Sequence, residues 1–228
     1  MSLSRVSPST ILFLLLLTAT DGTGQFPPFT SAIFEMRVVE EEGGRKMEGI
    51  SKVWANFKEQ RFCTETEMAT PDGKRTKYVT IQADGKVYVL NVETKTAQEI
   101  PYLGEGSSRF DWGKTPDYKR FGGIAVGTDT VAGRETDIYE YIKFEDRFQK
   151  HLGQQEGVDE LEELMAKSAN QIRVRQWIWR GTDFPLKTIL DYGTKRVITE
   201  TMHIAVNVNI PERVFKVPGE YTVKKTQR

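Results

Sequence analysis

The chain has 228 residues, a length that suits one sizeable domain and allows a core without metal or disulfide support. Its 32 Lys and Arg residues balance its 32 Asp and Glu residues, so no net charge directs it toward nucleic acid or an anionic membrane. With 38% hydrophobic and 28% charged residues, the composition is that of a globular protein and excludes a disordered chain.

The first residues predict a secretory leader. Arg5 supplies a positive start, residues 11–17 form an apolar run, and small residues follow through Gly24. The run is too short to span a bilayer, which takes about 20 residues, although an uncleaved N-terminal anchor remains the alternative. We therefore predict a cleaved signal peptide over residues 1–24 and one domain over residues 25–228. Because no cysteine lies near the cleavage region, the mature protein is predicted to be exported without lipidation.

The predicted domain consists mainly of strands. Apolar residues recur with a period of two in Ala32, Phe34, Met36 and Val38, as on a sheet with one buried face. Asp84-Gly85 between two such runs predicts a type I′ hairpin turn. In the last long strand the same alternation puts the apolar side chains from residue 198 to residue 210 on one face and the polar ones on the other. Further extended runs cover residues 50–57, 61–69, 77–83, 87–90, 97–101, 130–144, 172–180 and 185–192.

Two segments interrupt the strands. Residues 103–123 are rich in Gly, Ser and Pro with isolated aromatic residues, which predicts a long loop or flap. Residues 145–171 are helical in composition, and 159–169 form an amphipathic helix. About ten strands without strand–helix alternation predict an antiparallel sheet. A curved sheet of that size tends to curl around an interior that needs a plug, a helix or a ligand.

Residues with catalytic or metal-binding chemistry are few. The single cysteine, Cys63, lies in a strand-like run and is predicted to be a buried small hydrophobe. His151 and His203 are far apart, so we predict no zinc site and no other metal or cofactor. No nucleophile elbow or phosphate-binding glycine pattern occurs, and the carboxylates of residues 40–42 are expected to be solvated. The sequence predicts a protein that is not an enzyme, with a hydrolase as the least favoured alternative.

Three segments resemble a known family. They are residues 131–139 with a Gly-Arg-Glu-Thr turn, residues 177–187 with Trp-Ile-Trp and Pro-Leu-Lys, and residues 209–221 with Ile-Pro, Phe and Pro-Gly-Glu-Tyr. In this order they resemble the periplasmic outer-membrane lipoprotein carrier (LolA-like) superfamily, as a divergent member. The resemblance implies an incomplete, half-open antiparallel β-barrel of ten to eleven strands, capped by helices, whose apolar cavity holds acyl chains in the periplasm.

Together these features predict a periplasmic carrier that binds lipid or lipoprotein acyl chains and is not an integral membrane protein. Envelope proteins are further candidate partners. The alternative is a non-catalytic envelope scaffold or sensor whose barrel is filled by its own side chains and whose surface binds a protein. The predicted ligand-binding residues share apolar character and strand position; they are Phe34, Met36, Trp54, Met202, Ile204, Val206 and Val208.

Overall fold

The computed structural model describes residues 27–69, 73–100, 116–144 and 171–225. These residues form twelve strands, one short α-helix and one 3₁₀ helix. In chain order they are β1 Ser31–Glu42, β2 Arg45–Asn56, β3 Arg61–Ala69, β4 Arg75–Ala83, β5 Lys86–Asn91, β6 Thr96–Ile100, α1 Asp117–Arg120, β7 Ile124–Val131, β8 Arg134–Phe144, β9 Gln171–Trp179, β10 Phe184–Asp191, β11 Lys195–Val206, the 3₁₀ helix Glu212–Phe215 and β12 Thr222–Lys225.

All twelve strands belong to one open sheet in the order β12-β6-β5-β4-β3-β2-β1-β11-β10-β9-β8-β7. Neighbouring strands are antiparallel except β12, which runs parallel to β6. The predicted mainly antiparallel, unclosed sheet is confirmed, but it has twelve strands rather than ten to eleven. The predicted helix over residues 159–169 lies outside the described residues. Within the predicted loop 103–123, the described part contains the helix α1.

Turn chemistry explains which strand boundaries were predictable. Asp84 and Gly85 both have positive φ, at 52° and 72°, which confirms the predicted type I′ turn between β4 and β5. Two strands differ from the prediction. β7 begins at Ile124 rather than residue 130, because its Ala, Gly and Asp content gives a weak strand pattern. β12 has four exposed residues and is defined by its pairing with β6, which no local pattern encodes.

The buried side chains form three clusters. The aromatic cluster contains Phe29, Ala32, Phe34, Val53, Ala55, Phe57, Phe62, Val131, Trp177, Phe184 and Leu186. The strap cluster contains Cys63, Val79, Ile81, Ala83, Leu90, Ala97 and Phe215. The third cluster, packed around α1, contains Tyr118, Tyr141, Ile172, Val174, Ile178, Leu190 and Val197.

The C-terminal segment, residues 210–221, closes the strap cluster. Phe215 is 4% exposed and packs among the β3–β6 side chains. Beyond it, the Thr222 amide donates a hydrogen bond to the Lys95 carbonyl at 2.9 Å, and the Lys95 ammonium lies 5.0 Å from the Tyr221 ring centroid. These contacts hold the end of the described chain against the sheet, far in sequence from the strands it covers.

Candidate functional site

The two faces of the sheet differ around β1. Successive residues of a strand point to opposite faces, so Phe34 and Met36 share one face, the inner face, and Arg37 points to the outer face. Arg37 is about half exposed and forms ion pairs with Glu200 at 3.2 Å and with Glu48 at 3.9 Å. The outer face at this point is therefore a solvated surface of paired charges, and the apolar site lies on the inner face.

Strands β10 and β11 separate over part of their length beside this inner face. β10 pairs with β11 only between Lys187 and Asp191, whose partners are Glu200 and Arg196. Beyond Glu200, β11 continues to Val206 with β1 as its partner, whereas the start of β10 pairs with β9. The described strands β10 and β11 therefore diverge from this point, next to the aromatic cluster.

Aromatic rings fill the centre of the cluster. The ring centroid of Phe184 lies 5.7 Å from that of Phe34 and 5.4 Å from that of Phe29, both edge to face. Phe29 also stacks on Trp179 at 5.8 Å. Edge-to-face pairs of this kind add about 0.5–1.5 kcal/mol each beyond the burial of their area. The middle of the cluster is therefore closely packed, and Phe34 is only 1% exposed.

The rim of the aromatic cluster is less enclosed. Half-buried apolar side chains from β1, β8, β9, β10 and β11 pack against it, namely Met36, Ile138, Trp179, Ile189, Ile204 and Val206. β7 lies at the edge of the sheet, four strands from β11, yet the two strands are in contact. The part of the sheet from β11 to β7 therefore curls around the rim. The rim thus combines apolar surface, partial exposure and diverging strands.

Four of the predicted binding residues meet at this cluster: Phe34, Met36, Ile204 and Val206. Val208, half-buried, follows β11, and its carbonyl accepts a hydrogen bond from the Ser31 hydroxyl at 2.7 Å. Met202 is half-buried at an irregularity of β11. Trp54 lies elsewhere. It pairs with Ile33, so it points to the outer face, where it packs against the strap cluster.

A β-bulge changes which residues of β11 face inward. Thr201 pairs with Met36 and His203 with Glu35, which leaves Met202 as the extra residue. Ile204 pairs with Phe34, so Thr201 and Ile204 share the inner face although three positions separate them. The predicted strict alternation, which grouped Thr201 with His203, is wrong at this point because the bulge reverses it. His203 is exposed, as predicted.

Thr201 is the residue that sequence reasoning missed. It is 2% exposed, and its Oγ1 has no hydrogen-bond partner among the described residues. A buried hydroxyl left unpaired costs about 1–3 kcal/mol. Two hydroxyls on the same face do have a partner. Those of Ser51 and Thr66 lie 2.9 Å apart and form a hydrogen bond with each other. No signal in the sequence marks the bulge that turns Thr201 inward.

A buried ion pair lies further along the same face. The Lys195 ammonium lies 2.5 Å from the Glu40 carboxylate, and the two side chains are 16% and 6% exposed. The expectation that residues 40–42 are all solvated is therefore wrong for Glu40, because its position on β1 brings it opposite β11. Its charge is neutralised within the fold.

The turn between β9 and β10 is tied to α1. The Tyr118 hydroxyl donates to the Asp183 carboxylate at 2.6 Å, and the Lys119 ammonium lies 2.8 Å from its other oxygen. Burial acts to raise the pKa of Asp183, but these two hydrogen bonds outweigh it and hold that pKa below its ordinary value. Because Trp179 and Phe184 flank this turn, α1 helps to position part of the aromatic cluster.

The cysteine and the metal-ligating side chains of the described residues are the remaining candidates for chemistry. Cys63 is buried, as predicted, and burial raises the pKa of its thiol to about 12. Within the described ranges, no three His, Cys, Asp or Glu side chains lie close enough together to hold a metal ion. In the same part of the chain no helix is long and apolar enough to cross a membrane.

Comparison with known proteins gives similarity in structure only. No family model matches the sequence, and no curated protein matches it. An uncharacterized conserved protein of Thermus thermophilus matches over 86% of this chain and 91% of its own, with 11% identity and a TM-score of 0.50. At such identity the match shows a shared fold and nothing more.

Two further solved structures have lower TM-scores. The MucA/MucB complex of Pseudomonas aeruginosa matches over 86% of this chain with 14% identity and a TM-score of 0.41, and this chain spans 59% of the matched one. A putative outer membrane lipoprotein-sorting protein domain of Vibrio parahaemolyticus matches over 91% of this chain and 94% of its own, with 9% identity and a TM-score of 0.35. The comparisons thus show a shared fold, and the resemblance to the LolA-like superfamily stays a prediction from the sequence.

Proposed function

We propose that this protein is an exported, non-catalytic carrier that holds acyl chains of a lipid or lipoprotein against the rim of the aromatic cluster. The observation that carries the proposal is the divergence of β10 and β11 beside half-buried apolar side chains. The proposed contact residues are Phe34, Met36, Met202, Ile204, Val206 and Val208. Trp54 is left out because it packs on the outer face.

The energetics favour an alkyl ligand at this rim. Burying one methylene contributes roughly 0.8 kcal/mol, so five or six methylenes supply about 4–5 kcal/mol before the cost of association. The charges beside the strand separation are paired, since Arg37 and Glu200 bond to each other on the outer face and Lys187 also pairs with Glu200. The sequence resemblance and the predicted leader support a periplasmic location.

The first experiment asks whether lipid accompanies the protein. Native mass spectrometry of protein purified from the envelope of the organism that makes it is expected to show bound lipid, and cis-parinaric acid is expected to fluoresce on binding. A protein that is uniformly empty and that also ignores the fatty-acid probe contradicts the proposal.

A matched pair of variants locates the site. Ile204→Ser removes a half-buried apolar side chain from the rim and is expected to weaken cis-parinaric acid binding about tenfold. Ile50→Ser is the control, because Ile50 pairs with Arg37, faces outward and is already 46% exposed. Circular dichroism checks that both variants are folded. Equal loss in the two variants contradicts the location.

One observation favours the alternative of an envelope scaffold or sensor. Phe34, Phe184 and Trp177 are at most 6% exposed, so the centre of the aromatic cluster is filled by the protein's own side chains. If the protein's own side chains fill the space inside the sheet, native mass spectrometry should show the protein without bound lipid. The alternative also predicts that Ile204→Ser changes stability alone.

A further inference from the structure

The inward-facing hydroxyl of Thr201 adds a polar feature to the apolar rim. The bulge in β11 places Thr201 directly beside Met36, on the face that carries Phe34 and Ile204. Neighbouring strands are about 4.8 Å apart, so the hydroxyl lies within one strand spacing of the proposed acyl-chain contacts. A ligand lying along these residues passes Thr201.

Thr201 differs from other buried hydroxyls of the sheet in having no partner. Thr136, which is 0% exposed on β8, donates to the Asp129 carbonyl at 3.0 Å. Ser51 and Thr66 bond to each other. Thr201 Oγ1 is as enclosed as these groups and has no such contact in the described part of the chain. Buried polar groups are normally paired, so an unpaired one indicates a missing partner.

The charges around Thr201 indicate whether its hydrogen-bond partner is charged or neutral. The buried charges of Glu40 and Lys195 bond to each other, and Glu40 lies four residues along β1 from Met36, a distance of about 13 Å. Closer to Thr201, Lys187 and Glu200 also pair with each other, at 3.4 Å, so these described residues offer no unpaired cation to a phosphate or carboxylate. A hydroxyl in an apolar environment donates well to a neutral carbonyl oxygen.

The neighbours of Thr201 also allow access. Met36 lies opposite it across the strand pair, and Met202 follows it in the bulge; both are half-buried. Methionine has three flexible side-chain bonds and adapts to irregular contacts. A change of rotamer at these two residues is a route by which a ligand group reaches the enclosed hydroxyl.

We propose that Thr201 donates a hydrogen bond to the carbonyl at the head of a bound acyl chain, so that the cargo is an ester- or amide-linked acyl group and not bare hydrocarbon. This inference rests on the proposed function. The carbonyl is common to phospholipids and to acylated lipoproteins.

The test compares lipids that differ only in this carbonyl. Isothermal titration calorimetry measures binding of 1,2-dioctanoyl phosphatidylcholine and of its 1,2-di-O-octyl ether analogue. The native protein is expected to prefer the ester by about three- to tenfold, the net size of one neutral hydrogen bond. Thr201→Val should lose this preference while keeping its affinity for the ether, and Thr201→Ser should retain it.

Thr136→Val is the matched control. It removes an equally buried hydroxyl that already bonds to the Asp129 carbonyl, so the ester preference should persist. Equal affinities of the native protein for the two lipids, or a preference that survives Thr201→Val, overturn the inference and leave the proposed function standing. If neither lipid binds the native protein, the proposed function itself fails.

A second arm distinguishes the source of the carbonyl. A synthetic lipopeptide with an N-acylated, diacylglyceryl-modified cysteine is titrated against the native protein and Thr201→Val. Tighter binding than the phospholipid, with a loss of about three- to tenfold in the variant, supports a lipoprotein cargo. Tighter phospholipid binding with the same dependence on Thr201 supports a membrane lipid. Affinity for both ligands that is independent of Thr201 overturns the inference.

Discussion

The strap cluster and the aromatic cluster lie on opposite faces of the sheet where they meet, at β2 and β3, but are closed in different ways. Trp54 and Val53 are consecutive residues of β2, and one packs against the strap cluster while the other belongs to the aromatic cluster. Residues 210–221, remote in sequence, cover the strap cluster with Phe215. The aromatic cluster instead ends in a half-buried rim where β10 and β11 diverge. The first arrangement suits stability, and the second suits reversible contact with an apolar ligand.

The largest expected effect is on the strap cluster. Phe215→Ala should lower the free energy of unfolding by about 3–5 kcal/mol, because it removes a 4% exposed ring and leaves a cavity. Urea denaturation measures this change. Below the unfolding transition, affinity for cis-parinaric acid should match that of the native protein. If binding falls as far as in Ile204→Ser, the two clusters act as one site, which contradicts their separate roles.

A smaller effect is expected at the turn that positions Trp179 and Phe184. Hydrogen bonds from Tyr118 and Lys119 keep the pKa of Asp183 below its ordinary value. A lowered folded-state pKa stabilises the protein above the unfolded pKa of about 3.9, and the stabilisation is lost as pH falls through the folded value. Asp183→Asn should therefore cost less than about 1 kcal/mol at pH 7, because the side chain is 46% exposed and solvent screens it.

The pH dependence of this variant tests whether the ionised Asp183 carboxylate is what stabilises the turn. The difference in unfolding free energy between the native protein and Asp183→Asn should shrink as pH is lowered from 7 toward 2, as measured by urea denaturation at each pH. Asp84→Asn is the matched control, since Asp84 has a similar left-handed φ of 52° against 58°, but its side chain is 78% exposed. A constant difference across this pH range contradicts a role for the ionised Asp183.

The smallest effect is expected on the outer face. Arg37→Ala should change the unfolding free energy by about 0–0.5 kcal/mol, because its ion pairs are solvated. Binding of cis-parinaric acid should stay the same, since Arg37 points away from Met36. A clear loss of probe affinity would place part of the site on the outer face.

Much of the sheet could be predicted from local pattern. Alternation on β1 and the Asp84-Gly85 turn depend on neighbouring residues, and both are as predicted. The grouping of Phe34, Met36, Ile204 and Val206 also followed from alternation on two strands that pair directly. Trp54 shows the limit of this reasoning. Its apolar character predicts burial but not which of two buried faces it occupies, since the C-terminal segment gives the outer face a core of its own.

Local sequence pattern accounts for the β-rich chain, its main turns and most of its inward-facing apolar residues, because strand period and turn conformation are local properties. Three features arise only in the tertiary structure: β12 pairs with β6, β10 separates from β11, and β11 has a bulge at Met202. Each depends on residues far apart in the chain. That bulge turns the Thr201 hydroxyl inward. The polar feature of the proposed lipid site thus arises from pairing geometry between β1 and β11, which no local sequence signal records.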